Sequence, residues 1–174
     1  SLIFFDIFTV MKIIAIGRNY AAHAKELNNA VPTKPIIFLK PDTAVLKDNK
    51  PFYLPDFSSD IHYELEVVLK ICKEGKHIAE KFAANYYDEI GLGIDFTARD
   101  IQAEHKEKGL PWELAKAFDH SAVVSNFLPK ADFSDMNDLQ FELQVNKETR
   151  QNGHTANLLF SFESIISFVS QYIT

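Results

Sequence analysis

The eleven residues Ile61–Ile71 constrain the fold more than any other stretch. Ile61, Tyr63, Leu65, Val67 and Leu69 alternate with His62, Glu64, Glu66, Val68 and Lys70. A period of two is that of a β-strand, one face apolar and bound for a core, the other carrying two acids. Glu64 and Glu66 project from the same side about 7 Å apart along the strand, and long carboxylates at that spacing can converge on one ion. The same pair also reads as an ordinary solvated sheet face. The rest of the chain decides between the two.

With 174 residues, 47% of them hydrophobic and fifteen of them Phe, the chain can bury a core of its own. Residues 11–174 are expected to form a single domain, with residues 1–10 as an extension outside the core. That leading stretch is apolar but has no basic leader and is too short to span a bilayer. A net charge of -6, from 18 basic and 24 acidic residues with no basic block, argues against nucleic acid and against an anionic membrane surface. Cys72 is the sole cysteine, which rules out a disulfide within the chain and fits a reducing, cytoplasmic setting; it reads as a small buried hydrophobe.

Residues 11–16 read as a strand closed by Gly17, residues 19–27 as a short helix, and residues 36–39 as a second strand stopped by Pro41. A helix is expected over residues 79–87 and an apolar strand over residues 90–96. Thr97 with Asp100 resembles a capping box for a helix over residues 97–108, ended by Gly109. Residues 139–145 alternate again and return through Asn146-Lys147 and residues 149–151 as a hairpin. Ser161 then caps an amphipathic helix through Ile165, Ile166, Val169 and Ile173. The whole is a strand-rich α+β domain with three or four helices.

Asp95 closes the apolar run Gly91-Leu92-Gly93-Ile94, whose glycines allow close backbone approach, and a buried acid there needs a partner. Together with Glu64 and Glu66 it makes three acids with no Cys or His among them. That set suits a hard cation, Mg²⁺ or Mn²⁺, over Zn²⁺. His23 and Glu26, three apart on the expected helix, can work as a general base with the carboxylate orienting the imidazole, or form a plain surface pair. Lys116 follows Trp112 and Leu114 and precedes Phe118; half-buried among them it could stabilise an enolate or a carboxylate, or it could snorkel to solvent. His62, His77, His105, His120 and His154 show no ligand spacing and read as structural or surface residues.

These segments resemble the fumarylacetoacetate hydrolase family, and within it the acylpyruvate hydrolase and oxaloacetate decarboxylase branch. The likeness is carried by Gly17-Arg18-Asn19-Tyr20 with His23 and Glu26, Phe38-Leu39-Lys40-Pro41, and His62-Tyr63-Glu64-Leu65-Glu66. It continues through Asp95-Phe96-Thr97-Ala98-Arg99-Asp100, Lys108-Gly109-Leu110-Pro111-Trp112 with Lys116, and Arg150-Gln151-Asn152-Gly153. Six ordered motifs in one register are specific where one would be weak.

The resemblance implies a roll of mixed β-sheets with short flanking helices, and a homodimer. It implies Mg²⁺ or Mn²⁺ on Glu64, Glu66 and Asp95, and a water-activating His23-Glu26 base on a lid-like segment. It also implies Lys116 near the enolate, and Arg99 and Gln102 on the carboxylate of a small α-keto acid. The implied activity is carbon-carbon hydrolysis of acylpyruvates, with oxaloacetate decarboxylation related to it. Isomerisation or decarboxylation of 2-hydroxymuconate-type dicarboxylates is a second possibility. The family's closing Gly-Thr-Pro-x-Gly segment is not found before Thr174, so the C-terminal part of the family domain is expected to be missing; a non-catalytic metabolite-binding domain is therefore the third.

Overall fold

In the computed structural model, residues 12–20 and 31–174 are described. The strands are β1 (Ile13–Gly17), β2 (Ile36–Lys40), β3 (Ile61–Ile71), β4 (Tyr87–Ala98), β5 (Ala122–Val124), β6 (Leu128–Pro129), β7 (Gln140–Val145) and β8 (Glu148–His154). The helices are α1 (Glu80–Ala83), α2 (Arg99–Lys108), α3 (Glu113–Lys116) and α4 (Phe162–Val169). The strand-rich α+β expectation holds. The named strands pair antiparallel in three separate units, β1 with β2, β3 and β4 with β5 and β6, and β7 with β8, and among the described residues these do not close into one barrel.

The long β3–β4 ladder is the frame. Its register sets Glu64 opposite Asp95 and Glu66 opposite Gly93, and partners across an antiparallel pair share a face. The alternation in β3 does what its period demands. Val67 and Leu69 pack against a core of Ala83, Tyr87, Phe162 and Ile166, built from α1, β4 and α4, and the acid-bearing face turns the other way. Gly93 is required by proximity: a Cβ there would stand 2.9 Å from the Val123 carbonyl oxygen and 2.9 Å from a Val68 methyl. β5 could not lie so close to β4 with any larger residue at that point.

Several local expectations need correction. The helix expected over residues 79–87 is a single turn, α1, followed by a 3-10 turn at Ala84–Tyr86, because Tyr87 is drawn into β4 and buried. The Thr97–Asp100 capping box does not form. Thr97 is the penultimate residue of β4, fully buried, and α2 starts at Arg99 after Ala98 with no side-chain cap. Asp100 instead accepts from the Ser58 hydroxyl at 2.6 Å and the Ser59 N–H at 3.0 Å, tying the loop before β3 to the start of α2. Asn19 and Tyr20 are not helical: Tyr20 bridges Leu158. The rest of the expected 19–27 helix falls outside the described residues, as does the 1–10 extension.

Gly109 ends α2 in the left-handed conformation, φ 66°. Asn146 and Lys147 turn the β7–β8 hairpin with φ of 52° and 68°, both in the left-handed region that a two-residue hairpin turn uses. Ser161 caps α4 by accepting from the Ser164 N–H, but the helix stops at Val169, short of Ile173. No helix among the described residues is long and apolar enough to cross a membrane.

Candidate active site

The polar face of the β3–β4 ladder is roofed by α3 and by the end of β2, and each contributes one buried lysine. Lys116, 3% exposed, donates to Asp95 Oδ2 at 2.6 Å, to Glu64 Oε2 at 2.7 Å and to Thr97 Oγ1 at 2.6 Å. Its ammonium therefore has three oxygen partners, taken from both strands. The snorkelling alternative is excluded, although Leu114, expected to help bury it, is itself 67% exposed. α3 is short because it closes a tight loop after Gly109; the Ala115, Lys116 and Ala117 amides bond back to Trp112 and Glu113, and this aims Lys116 at the sheet.

Lys40 occupies the other side. It is 2% exposed, lies 2.8 Å from Asp95 Oδ1, and donates to the Ser121 carbonyl and hydroxyl, both at 3.0 Å, and to the Lys116 carbonyl. Burial lowers its pKa, and the adjoining Asp95 carboxylate works against that loss. The two lysines thus take one oxygen each of Asp95. Burial of both ammonium charges is tolerable because each has oxygen partners, although Asp95 Oδ1 keeps only its ion-pair contact with Lys40 and has no hydrogen bond among the described residues.

Arg99, the first residue of α2, pairs with Glu64 Oε1 and donates to Gln102 Oε1 at 2.6 Å, one turn along the same helix. Gln102 is 3% exposed. Glu66, two residues beyond Glu64, has its pKa raised to about 8 by burial first and then by Glu64 and Asp95. It sits beside two carboxylates already engaged by cations.

One cleft is lined by Glu64, Glu66, Asp95, Arg99, Gln102 and Lys116 together. Six of the eight residues singled out from the sequence therefore converge. The other two, His23 and Glu26, lie outside the described residues. The remaining expectations for histidines hold where partners are seen: His62 meets Asp60, His154 meets Asp138, and His105 contacts the Pro111 carbonyl. Cys72 is exposed, not buried, its thiol 3.8 Å from the Asn85 carbonyl. It sits just past the end of β3, where the strand leaves the core.

The same cleft holds residues that the sequence did not single out. Arg18 and Lys106 line it, both close to the Trp112 ring. Outside the cleft lining, Gln151 on β8 accepts from the Leu65 N–H at 2.8 Å and donates to the Tyr63 carbonyl at 3.0 Å. Its amide thereby acts as a one-residue strand at the edge of β3, gripping the backbone on either side of Glu64. Lys40 and Gln151 stood inside the quoted motifs; a lysine ending the apolar run Ile36-Ile37-Phe38-Leu39 is the signal that could have marked Lys40, while Gln151, in the polar strand Glu148–His154, carries no local signal.

The donor set suits a hard divalent cation in kind: three carboxylates on one face, with no sulfur or imidazole. Burial first, and then the Glu64 and Asp95 charges, raise Glu66, and a cation held there would favour its ionised form. Among the described residues, no three His, Cys, Asp or Glu side chains are gathered into a ready cage; Glu64 and Asp95 are turned onto Lys116, and Glu64 also onto Arg99.

Comparison with known proteins agrees with this architecture. The chain is 43% identical over 162 residues to the mitochondrial oxaloacetate tautomerase FAHD1 of Bos taurus, covering 93% of this chain and 73% of that one. It is 39% identical over 167 residues to the mitochondrial oxaloacetate decarboxylase of Dictyostelium discoideum, covering 95% and 77%. The crystal structure of fumarylpyruvate hydrolase from Pseudomonas aeruginosa in complex with Mn²⁺ and pyruvate superposes with a TM-score of 0.88 at 32% identity, covering 94% of this chain and 72% of that one. Residues 12–174 match the fumarylacetoacetate (FAA) hydrolase C-terminal family, and the chain belongs to that family of enzymes.

Proposed function

We propose that this chain is a divalent-metal-dependent enzyme acting on small 2-oxo acids through their enol or enolate forms, with acylpyruvates and oxaloacetate as substrates. The observation that carries the reading is Lys116: a buried ammonium, fixed between Glu64 and Asp95, at the floor of a cleft that also holds Arg99 and Gln102. Carbon-carbon hydrolysis of an acylpyruvate, decarboxylation of oxaloacetate and its keto–enol tautomerisation all place negative charge on the oxygen of a 2-oxo group. A preorganised cation beside that oxygen lowers the barrier to each.

Glu64, Glu66 and Asp95 would hold Mg²⁺ or Mn²⁺, which when bound supplies a Lewis acid for the 2-oxo group. Lys116 stabilises the enolate oxygen. Arg99 and Gln102 take the carboxylate, the guanidinium in a forked, charge-assisted pair. His23, oriented by Glu26, serves as the base that activates water for hydrolysis; decarboxylation and tautomerisation do not need that water. Lys40 fixes Asp95 from behind. The proposal includes a homodimer, checked by mass in solution, and a reducing compartment; the cytoplasmic address read from Cys72 stands beside the mitochondrial names of the relatives.

The test is turnover of acetylpyruvate and of oxaloacetate with Mg²⁺ or Mn²⁺, for the chain and for Lys116→Gln. Metal-dependent turnover that falls roughly 100-fold or more in the variant is expected. Absence of turnover with every metal and both substrates would overturn the reading in favour of a non-catalytic binding domain.

A further inference from the structure

Arg18 follows β1 with φ 61°, in the left-handed region where a non-glycine residue is uncommon and carries strain. Its neighbours hold it there. Gly17 is paired to Ile36, and Asn19 is stitched to the segment before α4: Leu159 donates to its carbonyl at 2.8 Å, Phe160 donates to its Oδ1 at 2.9 Å, and its Nδ2 donates to the Phe160 carbonyl at 3.1 Å. The strain fixes the direction in which the Arg18 side chain leaves the backbone.

That side chain lines the cleft, its guanidinium carbon 6.0 Å from the centre of the Trp112 ring, with Lys106 Nζ 5.4 Å from the same centre. Arg18 Nε is buried and has no hydrogen-bond partner among the described residues. Of the other cations of the cleft, Lys40 pairs with Asp95, Lys116 with Glu64 and Asp95, and Arg99 with Glu64, Arg99 Nε alone of its nitrogens sharing with Arg18 Nε the lack of a partner among the described residues. Arg18 and Lys106 are surplus, two positive groups beside one indole with no acid paired to either among the described residues. Lys106 registers the crowding, its pKa lowered by burial and then by Arg18 and Arg99.

We propose that Arg18 and Lys106, backed by Trp112, form a second carboxylate subsite that selects 2-oxo dicarboxylates over 2-oxo acids with a neutral tail. The inference rests on the enzymatic reading above and extends it to specificity. One carboxylate is held by Arg99 and Gln102 and the distal one by Arg18, whose buried Nε then gains an acceptor and whose fork matches a carboxylate. An acetyl tail offers these groups nothing and leaves that donor unpaired, which is how a polar subsite discriminates.

The experiment compares kcat/KM for oxaloacetate and for acetylpyruvate, with Mn²⁺, in the chain, Arg18→Gln, Arg18→Lys and Lys106→Gln. A glutamine at position 18 meets the same backbone strain as the arginine, so the comparison isolates the charge. The oxaloacetate-to-acetylpyruvate ratio is expected to fall roughly 10-fold or more in Arg18→Gln, chiefly through KM, with part of it recovered in Arg18→Lys and a smaller fall in Lys106→Gln. An unchanged ratio, or equal loss on both substrates, overturns the subsite.

Calorimetric binding of 2-oxoglutarate and of 2-oxobutyrate in the presence of Mn²⁺ separates this inference from the enzymatic reading. If the chain turns over neither substrate, tighter binding of the diacid that disappears in Arg18→Gln still sustains the subsite. Equal binding of the two acids by the unaltered chain overturns it.

Discussion

Lys40 lies 2.8 Å from Asp95 Oδ1, on the opposite side of that carboxylate from Lys116. Asp95 is 7% exposed, so a buried acid from the middle sheet is clamped between lysines from two other elements. This clamp joins the β1–β2 pair, the β3–β4 ladder and α3 at one point, and it is the point where the proposed chemistry happens.

Lys40→Met should therefore destabilise the protein by about 3–5 kcal/mol, since it leaves the buried Asp95 carboxylate without the cation that faces Oδ1. Urea unfolding monitored by far-UV circular dichroism measures it. A loss under about 1 kcal/mol would mean that the clamp contributes little to folding.

Lys116→Met removes the ammonium between Glu64 and Asp95 and leaves the two acids facing each other across the ladder. The variant should be less stable than the parent in chelator and should recover more stability than the parent on addition of Mn²⁺, while turnover stays low. Thermal melts with and without Mn²⁺ provide the check; equal gains in both proteins would argue against a carboxylate-bound ion.

Gln151→Ala deletes two bonds to the main chain of β3 without touching the cleft. A loss of about 1–3 kcal/mol is expected, together with faster amide exchange in β7 and β8, which hydrogen exchange would resolve. Unaltered protection there would show that the hairpin is held by its apolar contacts alone.

Hydrogen bonds from the Ser58 hydroxyl first, and from the Ser59 and Ile101 amides, hold the Asp100 carboxyl below its usual pKa. An acid with a lowered folded-state pKa contributes stability that is present above the unfolded value and fades as pH falls through the folded one. Asp100 is exposed, so the effect is modest. The difference in Tm between the parent and Asp100→Asn should shrink as pH drops from about 6 to about 3; a difference constant across that range would sink the assignment.

Much of this architecture is legible in the sequence. The alternation in Ile61–Ile71 gave both the buried face and the acid-bearing face, since the two-residue period is a local property that burial on one side merely reads out. Gly109, Asn146-Lys147 and Ser161 marked their turns and cap correctly because those depend on residues within a few positions of one another. The Thr97 cap and the helix over residues 79–87 failed for one reason: β4 runs from Tyr87 to Ala98, longer than its apolar core, because pairing with β3 along its length outweighs the local preference of its ends.

The sequence by itself determined the kinds of chemistry available: three carboxylates and no second thiol, Glu64 and Glu66 on one face, and the family that the six motifs carry. Only the tertiary structure decided which charges meet. Glu64 and Asp95 are brought opposite by strand register, Lys116 reaches them from 21 residues beyond Asp95, and Lys40 closes the clamp from 55 residues before it. No local periodicity encodes such separations. They are set by the packing of sheet pairs and helices over one another, and that packing brings Arg18 and Lys106 to one indole with no acid paired to either among the described residues.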